Sequence, residues 1–136
     1  ASEAEASAAA TRGEGMELAR EDIEHAIAAT GVTSGTRPPV VVTGDFNEPS
    51  HLDWTEAAAE RGTHPLPVRW PQSRMLYSWG FRDALRAIHP DPVVKPAFSW
   101  NVLSEETDEE DHHDRIDFVY ARDADVVNAR VLGECA

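Results

Sequence analysis

The sequence predicts an α/β fold, and three stretches predict it: an amphipathic helix from Glu14 to Ala29, an apolar strand centred on Val40-Val41-Val42, and a second strand at Ile116-Asp117-Phe118-Val119-Tyr120. A helix feeding a β-branched strand is the α/β pattern, because each element can bury its apolar side only against the other.

Ala1 to Gly15 is small, acidic and glycine-punctuated, so a flexible linker is expected there, with the folded domain spanning 16–136. Met16, Ala19, Ile23, Ala26 and Ile27 then form one helical stripe, which Gly31 should stop and which should pack on the sheet. The loop from Thr30 to Pro39 leads to the valine strand. Two prolines bar a helix before it, three consecutive valines suit a strand covered on both faces, and Gly44 lets the backbone turn at its end. Ser50-His51-Leu52-Asp53 has the form of a capping box and predicts a short helix through Ala57 to about Glu60, closed by Gly62. Pro71 suits a first helical position, leading into Gln72 to Trp79, and Gly80 breaks that segment. Phe81, Ala84, Leu85 and Ile88 share a helical face that His89-Pro90-Asp91-Pro92 terminates. A short strand is expected at Ala97–Trp100, a solvated acidic loop at Ser104–Asp111, and an antiparallel neighbour of the Ile116 strand at Val126–Val131.

Asp plus Glu number 25 against 12 Lys plus Arg, a formal charge of −13. That balance repels polyanions at long range and disfavours non-specific nucleic-acid binding, although a bound divalent cation would reverse the potential locally. The one cysteine, Cys135, excludes an intrachain disulfide and a cysteine zinc cluster. No apolar run reaches membrane-spanning length. Ala1 to Ala10 lacks the basic start and leucine-like core of a signal peptide.

The chemistry is concentrated in Gly44-Asp45-Phe46-Asn47. An acid and an amide at a strand end can converge on one crevice, to activate water and to hydrogen-bond a phosphoryl oxygen or a metal-bound water. The plainer alternative is a turn, since Gly, Asp and Asn are common turn formers. A nucleotide-hydrolase acid is excluded by the lack of any Gly-x-x-x-x-Gly-Lys-Ser/Thr loop. Asp117, inside an apolar strand, needs a partner to offset its burial. His112-His113 among Asp108, Asp111 and Asp114 is the best histidine cluster, but adjacent imidazoles seldom face one metal, so a transient site for a hard cation suits it better than zinc. His25, His51, His64 and His89 read as surface or capping residues, and most of the four tryptophans as core.

Gly44-Asp45-Phe46-Asn47 after a valine strand, Phe98-Ser99-Trp100-Asn101, and Asp114-Arg115-Ile116-Asp117-Phe118-Val119 occur in the order in which similar strings occur in the later half of the endonuclease/exonuclease/phosphatase superfamily, the deoxyribonuclease-I-like fold, which roughly Met16 to Val131 resembles. The resemblance implies an α/β two-sheet sandwich with flanking helices, about half of it supplied by this chain and incomplete at both ends. It implies a Mg²⁺- or Mn²⁺-dependent phosphoesterase in which Asp45 orients or deprotonates water, Asn47 holds phosphate oxygens, Asp45 and Asn47 contribute to the metal site, and Asp117 orients a catalytic histidine, with Asp114 as the rival for that role. Arg115 and Asn101 are the implied substrate contacts, and Arg115 could instead pair with Asp114 or Asp117. The family draws its principal metal glutamate from an early half-domain and its histidine from a closing Ser-Asp-His string, and neither occurs here. Residues 1–136 are therefore expected to be inactive alone and prone to association, and a version extended at both ends to be active. The acidity favours small phosphoesters over nucleic acid as substrates. The alternative is a catalytically dead binding or interaction domain of the same fold.

Overall fold

A computed structural model describes residues 3–29, 37–100 and 113–133, with side chains from Met16 onward. It forms two compact units, Ala1–Pro39 and Val40–Ala136. The first contains helix α1, Glu3–Ala29. The helix starts well before Glu14, inside the stretch expected to be a linker, because alanine and glutamate there favour helix strongly enough to carry Gly13 and Gly15. Met16, Ile23 and Ile27 of the expected stripe are half-buried, while Ala19 and Ala26 are exposed. Gly31, the expected stop, lies outside the described residues. No described helix is long and apolar enough to cross a membrane.

The second unit is a mixed α/β arrangement. In chain order it comprises β1 (Val40–Asp45), α2 (Glu56–Arg61), α3 (Pro71–Ser78), β2 (Arg82–Asp83), α4 (Ala84–Ile88) and β3 (Asp117–Arg122). The sheet is antiparallel with strand order β1-β3-β2. Its two faces differ. Val40, Val42, Phe118 and Tyr120 lie on one face, where Phe46 meets Phe118 and Tyr120 edge-on with ring centroids 5.6 Å away in each case. Val41, Thr43, Asp45, Asp117 and Val119 alternate to the other face and are exposed, Val41 by 57% and Val119 by 48%. The expectation that the valine strand is covered on both faces is corrected: in the second unit it behaves as a half-buried antiparallel strand. Gly44 has φ +152°, a backbone conformation that residues with a Cβ rarely adopt, in open space.

The helices take their caps from local chemistry. Thr55, not Ser50, caps α2, its Oγ1 accepting from Ala58 N, and Gly62 closes the helix in the left-handed conformation. Pro71 is the first residue of α3, and the buried Glu48 carboxylate accepts from Gln72 N at 2.8 Å, serving one of the N–H groups that Trp70 leaves uncapped. Asp83 caps α4 by accepting from Leu85 N and Arg86 N. That helix begins at Ala84 rather than Phe81, because Arg82 and Asp83 are spent pairing with Ala121 and Tyr120 of β3.

The same pairing explains a second correction. Val126–Val131 is not a strand, since β1 and β2 flank β3; Val127 is 90% exposed, and the segment is held instead by contacts such as His89 Nε2 with Ala129 O at 3.0 Å. The expected Ala97–Trp100 strand reduces to one bridge between Trp100 and Asp114, with Ala97 at φ +60° breaking any extension.

Tyr120 is 1% exposed, and its hydroxyl is hydrogen-bonded to the Ser50 side chain. Burial first, and then the charge of Asp83, push its pKa well above the ordinary 10.0; burial and Asp83 push Tyr77 in the same direction. The folded chain thus keeps a phenolic proton that the unfolded chain releases. Stability is full below pH 10 and falls as pH rises above it, by up to about 1.4 kcal/mol per pH unit for one such group. Urea melts between pH 9 and pH 11.5 are expected to show this loss, with Tyr120→Phe flattening most of it. An unchanged slope in that variant would remove Tyr120 as the cause.

Candidate active site

Antiparallel register brings Asp45 directly opposite Asp117 at one end of the sheet. Beyond them, Phe46 N donates to Ile116 O at 2.8 Å, a ladder bond between the residues that flank the two aspartates. Asp45 and Asp117 therefore form a non-hydrogen-bonded pair, the kind in which facing side chains approach most closely. Asp117 N points away from β1 and donates to Ser99 Oγ at 3.1 Å, as does Ile116 N. Two carboxylates thus leave the same exposed face side by side. Like charges directly opposite one another are destabilising, and the sheet tolerates them here because both reach solvent.

Asn47 enters by a turn. Its backbone N–H donates to Asp45 Oδ1 at 2.8 Å, and it sits at φ +49°, the left-handed region that asparagine tolerates better than most residues. The turn is anchored on its far side, where Glu48, Pro49 and Ser50 are buried, Glu48 on α3 and Ser50 under Tyr120. The turn chemistry and the expected site chemistry thus coincide in the same residues. Asp114 accepts from Trp54 Nε1 at 2.8 Å, so its carboxylate is used in packing, whereas Asp117 is exposed beside Asp45.

A cleft of about 360 Å³ adjoins Asp117. Leu85, Ala97 and Phe118 contribute apolar surface, and Ser99, Asn128 and Arg130 polar groups. Asn128 and Arg130 were not identifiable as site residues from the sequence, which placed them in a strand. Asn101 lies outside the described residues, as do His112, Asp108 and Asp111.

Arg115 borders the cleft but is 4% exposed, with its guanidinium turned to neighbouring carboxylates. Its Nε and Nη2 donate to Asp53 at 2.9 and 3.1 Å, and its Nη1 and Nη2 to Asp83 at 3.1 and 2.5 Å. Arg86 Nε donates to Asp53 at 2.6 Å, and its Nη atoms to the carbonyls of His89, Lys95 and Pro96. Burial alone would weaken the hold of Arg115 on its proton. Hydrogen bonds to Asp83 and the charge of Asp53 more than offset this and keep its pKa above the ordinary value. The guanidinium also lies 4.5 Å above the Phe118 ring. Where substrate, Asp114 or Asp117 was the expected contact, the guanidinium of Arg115 is bonded to Asp53 and Asp83. Two acids and two guanidiniums balance in charge, which lets the quartet be buried.

His25 is exposed, while His64 and His113 are more buried than expected. His64 is buried and stacks on Trp54 at 4.4 Å, Trp54 meets Trp70 edge-on, and His113 packs against Phe98. Among the described residues no three His, Cys, Asp or Glu side chains gather to hold a metal ion. The donors at the sheet end, Asp45, Asn47 and Asp117, are all oxygen donors, which suits Mg²⁺ or Mn²⁺. Mg²⁺ is commonly bound by one or two carboxylates together with waters and substrate phosphate.

No protein-family model matches the chain, and no solved structure matches it. An 87-residue stretch is 36% identical to an uncharacterized protein of Caenorhabditis elegans, covering 60% of this chain and 27% of that protein. The matched region thus amounts to little more than a quarter of that relative's length.

Proposed function

We propose that this chain is the later part of a metal-dependent phosphoesterase, with a two-sheet sandwich completed against the exposed sheet face that bears Val41 and Val119. The observation that carries the reading is the facing pair Asp45 and Asp117 with Asn47 beside them on one solvent-open sheet end. Such a pair has a physical use when a cation or a transferred proton relieves its repulsion. In this reading Asp45 accepts a proton from water as the water oxygen bonds to phosphorus and the ester P–O bond breaks. The Asn47 carboxamide donates to a phosphoryl oxygen as negative charge builds there. Asp117 orients an imidazole, fixing its tautomer and steadying its positive charge. Mg²⁺ or Mn²⁺ bound at Asp45 and Asn47 would supply Lewis-acid stabilisation of that charge. Small phosphoesters suit the −13 charge of the chain better than nucleic acid.

The test is metal-dependent hydrolysis of an aryl phosphoester by the protein extended at both ends, compared with its Asn47→Gly variant. Glycine keeps the left-handed turn, so the fold should hold while the carboxamide is lost. Turnover is expected to fall by about 3 kcal/mol of transition-state stabilisation, the scale of one oxyanion donor. Normal turnover in Asn47→Gly would return Asn47 to a turn role, and no metal-dependent turnover in the extended protein would favour a binding domain.

A further inference from the structure

A hollow of about 500 Å³, separate from the sheet end, is walled by His51, Trp54, Arg69 and Arg74, with Pro67 and Val68 as apolar surface and Glu56 as its one acid. In a chain of net charge −13, two guanidiniums facing a single carboxylate are a local reversal. Arg86, Arg115 and Arg122 are buried against acids, carbonyls or rings. Arg69 and Arg74 are exposed and, among the described residues, have no carboxylate partner. Among the described residues neither forms an ion pair.

Their supports are fixed. Arg74 rides on α3, whose first turn is set by Pro71 and by Glu48 at Gln72 N. Val68 N donates to Trp54 O at 3.0 Å, tying the Arg69 segment to the indole wall. His51 is held from two sides, its backbone N–H and Nδ1 both on Ser73 Oγ, at 3.0 and 2.8 Å, and its ring edge-on to Tyr77 at 5.2 Å. That leaves Nε2 as the ring nitrogen without a partner among the described residues.

We propose that this hollow binds a phosphate ester, Arg69 and Arg74 taking the phosphoryl oxygens, His51 Nε2 contacting the same group, and Trp54, Pro67 and Val68 covering the organic part. Guanidinium forks match phosphate oxygens two at a time, and the volume suits a small ligand. The site needs neither a metal ion nor Asp45, so it stands apart from the phosphoesterase reading.

The experiment titrates the 136-residue chain in EDTA with phenyl phosphate, inorganic phosphate and phenol, following heat and the His51 imidazole resonances. Phenyl phosphate should bind more tightly than inorganic phosphate, and phenol not at all. The His51 pKa lies below the ordinary 6.5, through burial and then the charge of Arg74, against the opposing pull of Asp53 and Asp83. A bound anion neutralises Arg74, so this pKa should rise on saturation. Arg69→Gln and Arg74→Gln should each weaken binding about tenfold or more with an unchanged melting temperature, since both side chains are exposed. Absence of binding, binding that survives both substitutions, or a His51 pKa that stays put would overturn the assignment. Equal affinity for phenyl phosphate and inorganic phosphate would overturn the role given to the apolar wall.

Discussion

Replacing Arg115 with alanine is expected to cost the chain about 3–5 kcal/mol of folding stability, a large share of the 5–15 kcal/mol typical of a small domain. The reason is the geometry of its fork. One guanidinium bridges Asp53 and Asp83, and Asp83, 0% exposed, also caps α4. Truncation leaves Asp53 with Arg86 alone and takes from Asp83 the guanidinium bonded to it, in a site closed to water, where an uncompensated carboxylate is far more costly than a lost surface pair. Arg115→Lys keeps the charge but cannot span two carboxylates, so it should recover only part of the loss. Urea midpoints of the two variants check this. A stable Arg115→Ala chain that had lost phosphoester binding would restore the substrate role the sequence suggested.

The second large effect is on chemistry. In the extended protein Asp45→Asn is expected to lower phosphoester turnover by roughly 10²- to 10⁴-fold, the range for removing a positioned base. Asparagine retains an oxygen to accept from Asn47 N, so the turn survives while the charge disappears. Removing one of two facing like charges should raise metal-free stability by a few tenths of a kcal/mol, up to about 1. Activity falling while stability holds or rises separates a lost base from a damaged fold. Undiminished turnover would refute the role of Asp45, and a clear drop in stability would mean that its carboxylate supports the fold.

Several features were legible in the sequence because they depend on neighbours along the chain. The valine strand, the Gly62 and Gly80 stops, Pro71 opening α3 and the His89–Pro92 end of α4 all follow from backbone preferences that a residue carries with it. So does the turn at Asp45-Phe46-Asn47. The cap of α2 is not legible in the sequence because Ser50 and Thr55 are both competent caps, and only packing commits Ser50 to Tyr120 and Asp53 to Arg86 and Arg115. Pairing was decided in three dimensions. Val126–Val131 has strand composition, yet Arg82 and Asp83 take the place beside β3 because Asp83 is drawn in by Arg115. The buried quartet draws on positions as far apart as Asp53 and Arg115, a separation that no periodicity records. What the sequence determined by itself was which residues could turn, extend and carry charge. Which carboxylates would face each other in solvent, as Asp45 and Asp117 do, and which would be neutralised inside, as Asp53 and Asp83 are, only the tertiary structure decided, because burial and register are properties of strands brought together from distant parts of the chain.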